Sequence, residues 1–121
     1  MKIKILIILV LLLNTEFSFA ENWTKKDTYT ELAFLSIHFL DYQTTIDIAK
    51  KPNLYVEKNI ILGEHPSIGR VNTYFISTAI IHPIISYYLP KKYRKTFQYF
   101  SIGVSTLAVT NNLSCGLKFQ F

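Results

Sequence analysis

The sequence predicts an all-α fold: a small helical membrane bundle of about three helices behind a cleaved signal peptide. Three observations carry that prediction. The chain opens on a short basic start followed by an apolar run that is too brief to span a bilayer. Three later segments place their polar residues at helical spacing. Two of those segments run for about twenty residues without a formal charge. Composition agrees: 50% of the residues are hydrophobic and the mean hydropathy is +0.22, with a formal net charge of +5. One cysteine, Cys115, excludes an internal disulfide and a cysteine-rich metal site. The length allows one domain, expected as a signal peptide over 1–20 and a helical membrane-associated domain over 21–121.

The N-terminus reads Met1-Lys-Ile-Lys4, then Ile5 to Leu13 with no polar side-chain atom, then small residues at Ser18 and Ala20. This is the pattern of a secretory signal peptide, so the mature chain is expected to begin at Glu21. The first mature helix is expected near 28–50. Asp27 or Thr28 serves as its cap, and Pro52 ends it after Lys50-Lys51. At 100° per residue Asp27, Glu31, His38, Asp41 and Thr45 share one stripe, while Ser36, Gln43 and Asp47 share another. Two polar stripes suit a helix packed among others or lying at an interface. Its densest stretch, Asp41-Tyr-Gln43-Thr44-Thr, supplies candidate polar-core residues, together with Asp47. These carboxylates serve either as ion or proton ligands, or else hydrogen-bond neighbouring helices or face solvent.

Residues 50–70 read as a loop with turns at Pro52, Gly63, Pro66 and Gly69. Asn59, Gly63, His65, Pro66 and Ser67 form a candidate loop motif, with Ser67 as the cap of the next helix. Ile60-Ile-Leu62 is a short apolar patch able to fold back onto the bundle or a membrane surface. Glu64-His65 is an adjacent pair of ligand types without a third at known spacing, so no metal is expected. No cofactor motif is present either.

The second helix is expected near 67–89. Val71 to Pro90 carries no formal charge and is long enough to cross a bilayer, and Tyr74, Thr78, His82 and Ser86 recur every fourth residue as one polar stripe. Pro83 removes a backbone hydrogen bond near Ala79 and is expected to kink the helix. His82 is read as a packing residue or as a proton relay facing Asp41. Pro90-Lys-Lys-Tyr-Arg-Lys95 reads as a basic turn. A third helix is expected near 93–117, with Gln98, Ser101, Ser105, Ala108 and Asn112 along one face. Asp41, His82 and Asn112, with Asn111 beside it, are expected to meet in a polar core. The end of the chain alternates: Leu113, Cys115, Leu117, Phe119 and Phe121 against polar or small neighbours. That is the signature of a terminal outer-membrane strand and supports a small barrel as an alternative.

Charge placement bears on topology. If all three segments span, the dense basic turn lies on the periplasmic side, against the positive-inside rule. A two-span arrangement, with the first helix on the periplasmic face of the inner membrane, satisfies the rule. The outer membrane is the alternative location.

The pattern Asp41-x-Gln43-Thr44, Asn59-x-Ile-Leu-Gly-x-His-Pro-Ser67, Val71-Asn-x-Tyr74, His82, Leu89-Pro-x-x-Tyr-Arg94 and Asn111-Asn112 resembles a group of small, uncharacterised, membrane-associated proteins of proteobacteria and their phages. The likeness runs from about Trp23 to the end of the chain. It departs at Ile60, where that group is expected to have proline. The resemblance implies a location in the bacterial envelope and a set of positions, and no activity.

Three function classes follow. The leading one is a non-enzymatic protein acting by helix packing, its partners membrane lipid, itself or another membrane protein. The second is a membrane-embedded enzyme using Asp41 and His82, with His38 as a further acid–base group. The third is an oligomeric ion or solute conduit lined by Asp41 and Asn112. Nothing resembles a nucleic-acid-binding module, so no nucleic acid is expected.

Overall fold

The computed structural model describes residues 23–121, and the expected signal peptide lies outside them. Three helices make up the regular structure among the described residues: α1 (Lys25–Lys50), α2 (Ile68–Tyr88) and α3 (Lys91–Ser114). The first begins earlier than expected. Its cap is Thr24, and Asp27 is the third helical residue of a capping box in which each side chain meets the other's backbone N–H. Asp27 thus stabilises the helix start without being its cap. Lys50 sits in the last turn, and Pro52 follows just beyond the helix end. Ser67 caps α2, accepting from the Arg70 N–H at 3.1 Å. Pro83 lies within α2, and the helix continues past it to Tyr88.

The basic stretch is not a turn. Lys91 to Lys95 form the first helical turns of α3, and the link from α2 shrinks to Leu89-Pro90. This removes the geometry on which the topology argument rested. No helix of the described residues is long and apolar enough to cross a membrane. The transmembrane helices and the inner-membrane placement built on them are therefore corrected. The physical reasons are visible in sequence: α2 is diluted by Arg70, Asn72, His82 and Pro83, and α3 includes four cations. The outer-membrane barrel is corrected as well. The described residues form no strand, and the alternating segment is helical up to Ser114, with an irregular tail after it.

The first helix is central. It packs along both others, while α2 and α3 scarcely touch beyond their shared link. Cross-links give the directions: Asp27 reaches Arg94 and Thr44 reaches Asn112, so α1 and α3 run parallel. Glu31 reaches His82 and Tyr42 reaches Asn72, so α2 runs antiparallel to α1. The apolar core is small and sits at the loop end, where Ile46, Leu62, Val71 and Phe75 cluster. Of the apolar patch in the loop, only Leu62 inserts; Ile60 and Ile61 face outward. Asn59 shapes this insertion, since its carbonyl accepts the N–H groups of Leu62 and Gly63 and its Oδ1 accepts that of Ile61. Gly63 adopts φ 80°, a left-handed turn conformation open to glycine at little cost.

Candidate functional site

The buried residues are mostly polar. Asp27, Glu31, His38, Gln43, Thr44, Thr45, Asp47, His82, Ser86, Arg94, Gln98 and Ser105 are all buried. All but Thr44 and Arg94 come from the polar stripes of the three helices, so the stripes largely face one another, with Ser36 left exposed. The contacts they make differ from the expected joint core. Burying a charge is costly unless it is paired and hydrogen-bonded, and each charged member here is compensated locally.

At the α1 start, Arg94 is fully buried. Its Nε donates to the Ser86 carbonyl at 2.8 Å, one Nη to Asp27 Oδ2 at 3.2 Å and the other to the Leu89 carbonyl at 3.2 Å. One guanidinium therefore satisfies carbonyls at the end of α2 and a carboxylate at the start of α1, and its face lies 4.9 Å from the Trp23 ring centre. Burial pushes the Asp27 carboxyl up, but hydrogen bonds from Thr24 and the nearby Arg94 charge outweigh it and leave it below the usual carboxylate range.

One turn further along α1, Glu31 Oε1 lies 2.5 Å from His82 Nδ1, and Glu31 Oε2 accepts from Gln98 Nε2 at 2.9 Å. Burial opposes ionisation of Glu31, and the His82 and Gln98 hydrogen bonds overcome it, so its carboxyl is held low. The His82 ring is stacked between Phe34 and Phe97. Its Nε2 is buried and has no hydrogen-bond partner among the described residues. His82 also lines a cavity of about 300 Å³ bounded by Phe34, His38, Ile81, Phe97, Phe100 and Val104. Burial lowers the His38 pKa, and its Nε2 donates to the Phe75 carbonyl at 3.3 Å.

Asp41 and Asn112 share a different, larger cavity of about 570 Å³, which Glu57, Asn59, Asn111 and Tyr55 also line. Burial and the neighbouring Glu57 charge push the Asp41 carboxyl up to about 7, against a weak hydrogen bond from Thr45. Asn112 donates to Thr44 Oγ1 at 2.9 Å. The structure thus brings Asp41, Asn111 and Asn112 together with Asn59 of the loop motif. It puts His82 elsewhere, against Glu31, so the expected meeting of Asp41, His82 and Asn112 is corrected. The reason is axial: His82 is near the end of an antiparallel helix and lies level with Glu31, more than two turns from Asp41 along α1.

Of the remaining candidates, Asp47, Asn59 and Ser67 make structural contacts, while the buried Gln43 Oε1 has no hydrogen-bond partner among the described residues. Asp47 accepts from the Lys118 N–H at 2.9 Å, from Gln120 Nε2 at 3.2 Å and from Lys51, tying the tail to α1. Gln43 is buried. In the loop motif Pro66 is buried, His65 is exposed and Ser67 caps α2. Among the described residues no group of three His, Cys, Asp or Glu is placed to hold a metal ion. Sequence reasoning places Glu31 and Gln98 on inward stripes without singling them out and misses Glu57, while Arg94 enters only as a position of the resemblance pattern, with no role. Arg94 has a signal, for it lies one turn before Gln98 and extends the same stripe. Comparison with protein-family models, curated proteins and solved structures yields no match to this chain.

Proposed function

We propose that this chain is a small non-enzymatic protein that acts by contact, packing its apolar outer helix faces against the helices of a partner, another copy of itself included. The observation that carries this reading is an inversion of burial. Asp27, Glu31, Asp47 and Arg94 are inside, while Ile76, Ile80 and Ile84 on α2 and Phe100, Val104 and Leu107 on α3 are each more than half exposed. Ile76, Ile80 and Ile84 recur every fourth residue and form a continuous stripe. Large apolar patches left open to water mark interaction surfaces, and covering one such side chain is worth about 1.5–3 kcal/mol. A catalytic role joining Asp41 and His82 has less support, because the two side chains line different cavities.

Sedimentation of the purified mature chain in amphiphile-free buffer tests the proposal. Self-association that is reversed by Ile80→Lys together with Leu107→Lys, with helicity retained, is expected. A parent chain that stays monomeric and captures no protein partner overturns it. Capture by lipid vesicles alone also overturns it, in favour of lipid as the covering surface.

A further inference from the structure

Among the described residues, Asp47, Glu31 and Asp27 each meet a basic side chain: Lys51, His82 and Arg94 in turn. Asp41 and Glu57 are half-buried, meet no such group, and line the same cavity of about 570 Å³. A carboxylate withdrawn from water without a counter-charge is costly. The two are close enough that the Glu57 charge adds to burial in holding the Asp41 carboxyl up at about 7. Lys58 also lines the cavity, but it is exposed and pairs with neither. Asp41 Oδ1 takes only a weak bond from Thr45 at 3.4 Å, while Oδ2 has no partner and is not sealed beneath the surface. Ser105 is buried to more than nine-tenths, and its hydroxyl likewise has no partner and is not sealed. Asn112 donates through Nδ2 to Thr44 and keeps its Oδ1 free. Cross-links between α1 and α3 join residues 67 or 68 apart, so Ser105 and Asn112 lie about one helical turn to either side of Asp41. Glu57 differs: Oε1 accepts from the Asn59 N–H and Oε2 lies beneath the surface, so it contributes charge rather than a contact.

We infer that this cavity is a binding site for a primary alkylammonium, whose N–H groups donate to Asp41 Oδ2 and the neutral oxygens beside it, and whose hydrocarbon chain lies on the apolar lining. That lining includes Ile48, Leu62, Phe75 and Leu117, all buried and none part of the outer helix faces. Val104 and Leu107 of the outer face also touch the cavity, and the site needs neither. The class of cation follows from the donor set. Among the described residues no group of three His, Cys, Asp or Glu is placed to hold a metal ion, and a hydrated ion gains nothing from a hydrocarbon wall. An alkylammonium matches the carboxylate at one end and the hydrocarbon along its body, and the volume falls within the ordinary range of ligand pockets. Specificity arises because Asp41 calls for both charge and a proton donor. An alcohol donates without neutralising, and a quaternary ammonium neutralises without an N–H to donate.

Calorimetric titration of the full mature chain at pH 8 with hexylamine, hexyltrimethylammonium and hexanol tests the inference. Hexylamine is expected to bind at least about tenfold more tightly than either of the others, the worth of one charge-assisted hydrogen bond. Asp41→Asn keeps the shape and removes the charge, and is expected to lower hexylamine affinity about tenfold while leaving hexanol binding unchanged. Glu57→Gln is expected to lower it about threefold, in keeping with a role through charge alone. Hexylamine that binds no more tightly than hexanol overturns the inference, as does affinity for hexylamine that is unaltered in folded Asp41→Asn. Equal binding of hexyltrimethylammonium overturns the hydrogen bond to Asp41. Displacement of hexylamine by calcium chloride well beyond that by sodium chloride of equal ionic strength overturns the organic cation in favour of a metal ion. The comparison of the three ligands needs no variant, so it decides even if a variant fails to fold.

Discussion

Arg94→Ala is the perturbation with the clearest consequence for the bundle. The side chain is fully buried and joins the start of α1 to the end of α2 through Asp27 and the carbonyls of Ser86 and Leu89. Truncation leaves a buried carboxylate without its counter-charge and helix-end carbonyls without their donor. Breaking a buried pair from one side costs about 3–5 kcal/mol. At about 4–8 °C per kcal/mol for a domain of this size, the melting temperature should fall by at least about 12 °C. The assay is thermal unfolding followed by far-ultraviolet circular dichroism, at pH 7 and fixed protein concentration. Arg94→Lys should recover only part of the loss, since a single ammonium cannot replace a fork that reaches separate acceptors. Arg94→Met combined with Asp27→Asn should cost less than the two single changes added together, because neither charge is then left alone. The side-chain carbonyl introduced by Asp27→Asn can still accept from the Thr24 backbone N–H, so the helix start keeps that bond. A melting temperature within about 3 °C of the parent for Arg94→Ala would refute the reasoning, since it falls well below the buried-pair cost.

Two further predictions concern carboxylates. Asp41 is raised to about 7 in the folded chain, so between about pH 4 and pH 7 the folded state binds a proton that the unfolded state has lost. Stability should therefore fall as pH rises through that window and level off above it. Asp41→Asn should abolish the fall and stabilise the protein at pH 8 by a few kcal/mol, roughly, as read by urea unfolding. Asp27, Glu31 and Asp47 are depressed, so their contributions are present above the ordinary carboxylate range and are lost as pH drops through their lower folded values. His38, whose pKa burial lowers, contributes the opposite slope in part of the same window, so the Asp41 assignment is read from the difference between the parent and Asp41→Asn; a difference that does not change between pH 5 and pH 8 contradicts it. Asp47→Ala should detach the tail, because the Lys118 N–H and Gln120 both bond to its carboxylate. Hydrogen exchange at Lys118 should accelerate at least tenfold, roughly, with a global loss of about 1–3 kcal/mol; unchanged protection at Lys118 would show the tail to be held otherwise.

Several features are legible in the residues alone. Helical spacing places Glu31, His38, His82, Gln98 and Ser105 on stripes, and each of those residues is buried. Ser67 reads as a helix cap because a hydroxyl followed by an uncharged periodic run has a local meaning, and Pro52 reads as a stop for the same reason. These inferences depend on neighbours within a turn or two of chain. Lys91–Lys95 reads as a turn and folds as a helix because Pro90 suits the entry to either, and a cluster of cations suggests exposure. Arg94 is the exception among those cations, marked in the sequence by its spacing to Gln98 and by its place in the Leu89-Pro-x-x-Tyr-Arg94 pattern.

Partner choice among the stripes is a matter for the tertiary structure. Periodicity gives the angle of a residue around its helix and leaves its height relative to another helix open. The heights follow from the direction and register of packing, set here by the short Leu89-Pro90 link and by Leu62 anchoring the loop. That register puts His82 level with Glu31 and Asn112 level with Thr44, and it leaves Asp41 to share a cavity with a loop residue, Glu57. Three helices with polar faces turned inward were already written in the spacing of residues. Which charge meets which, and which nitrogen is left unpaired, came only with the packing, because those depend on distances between residues far apart in the chain.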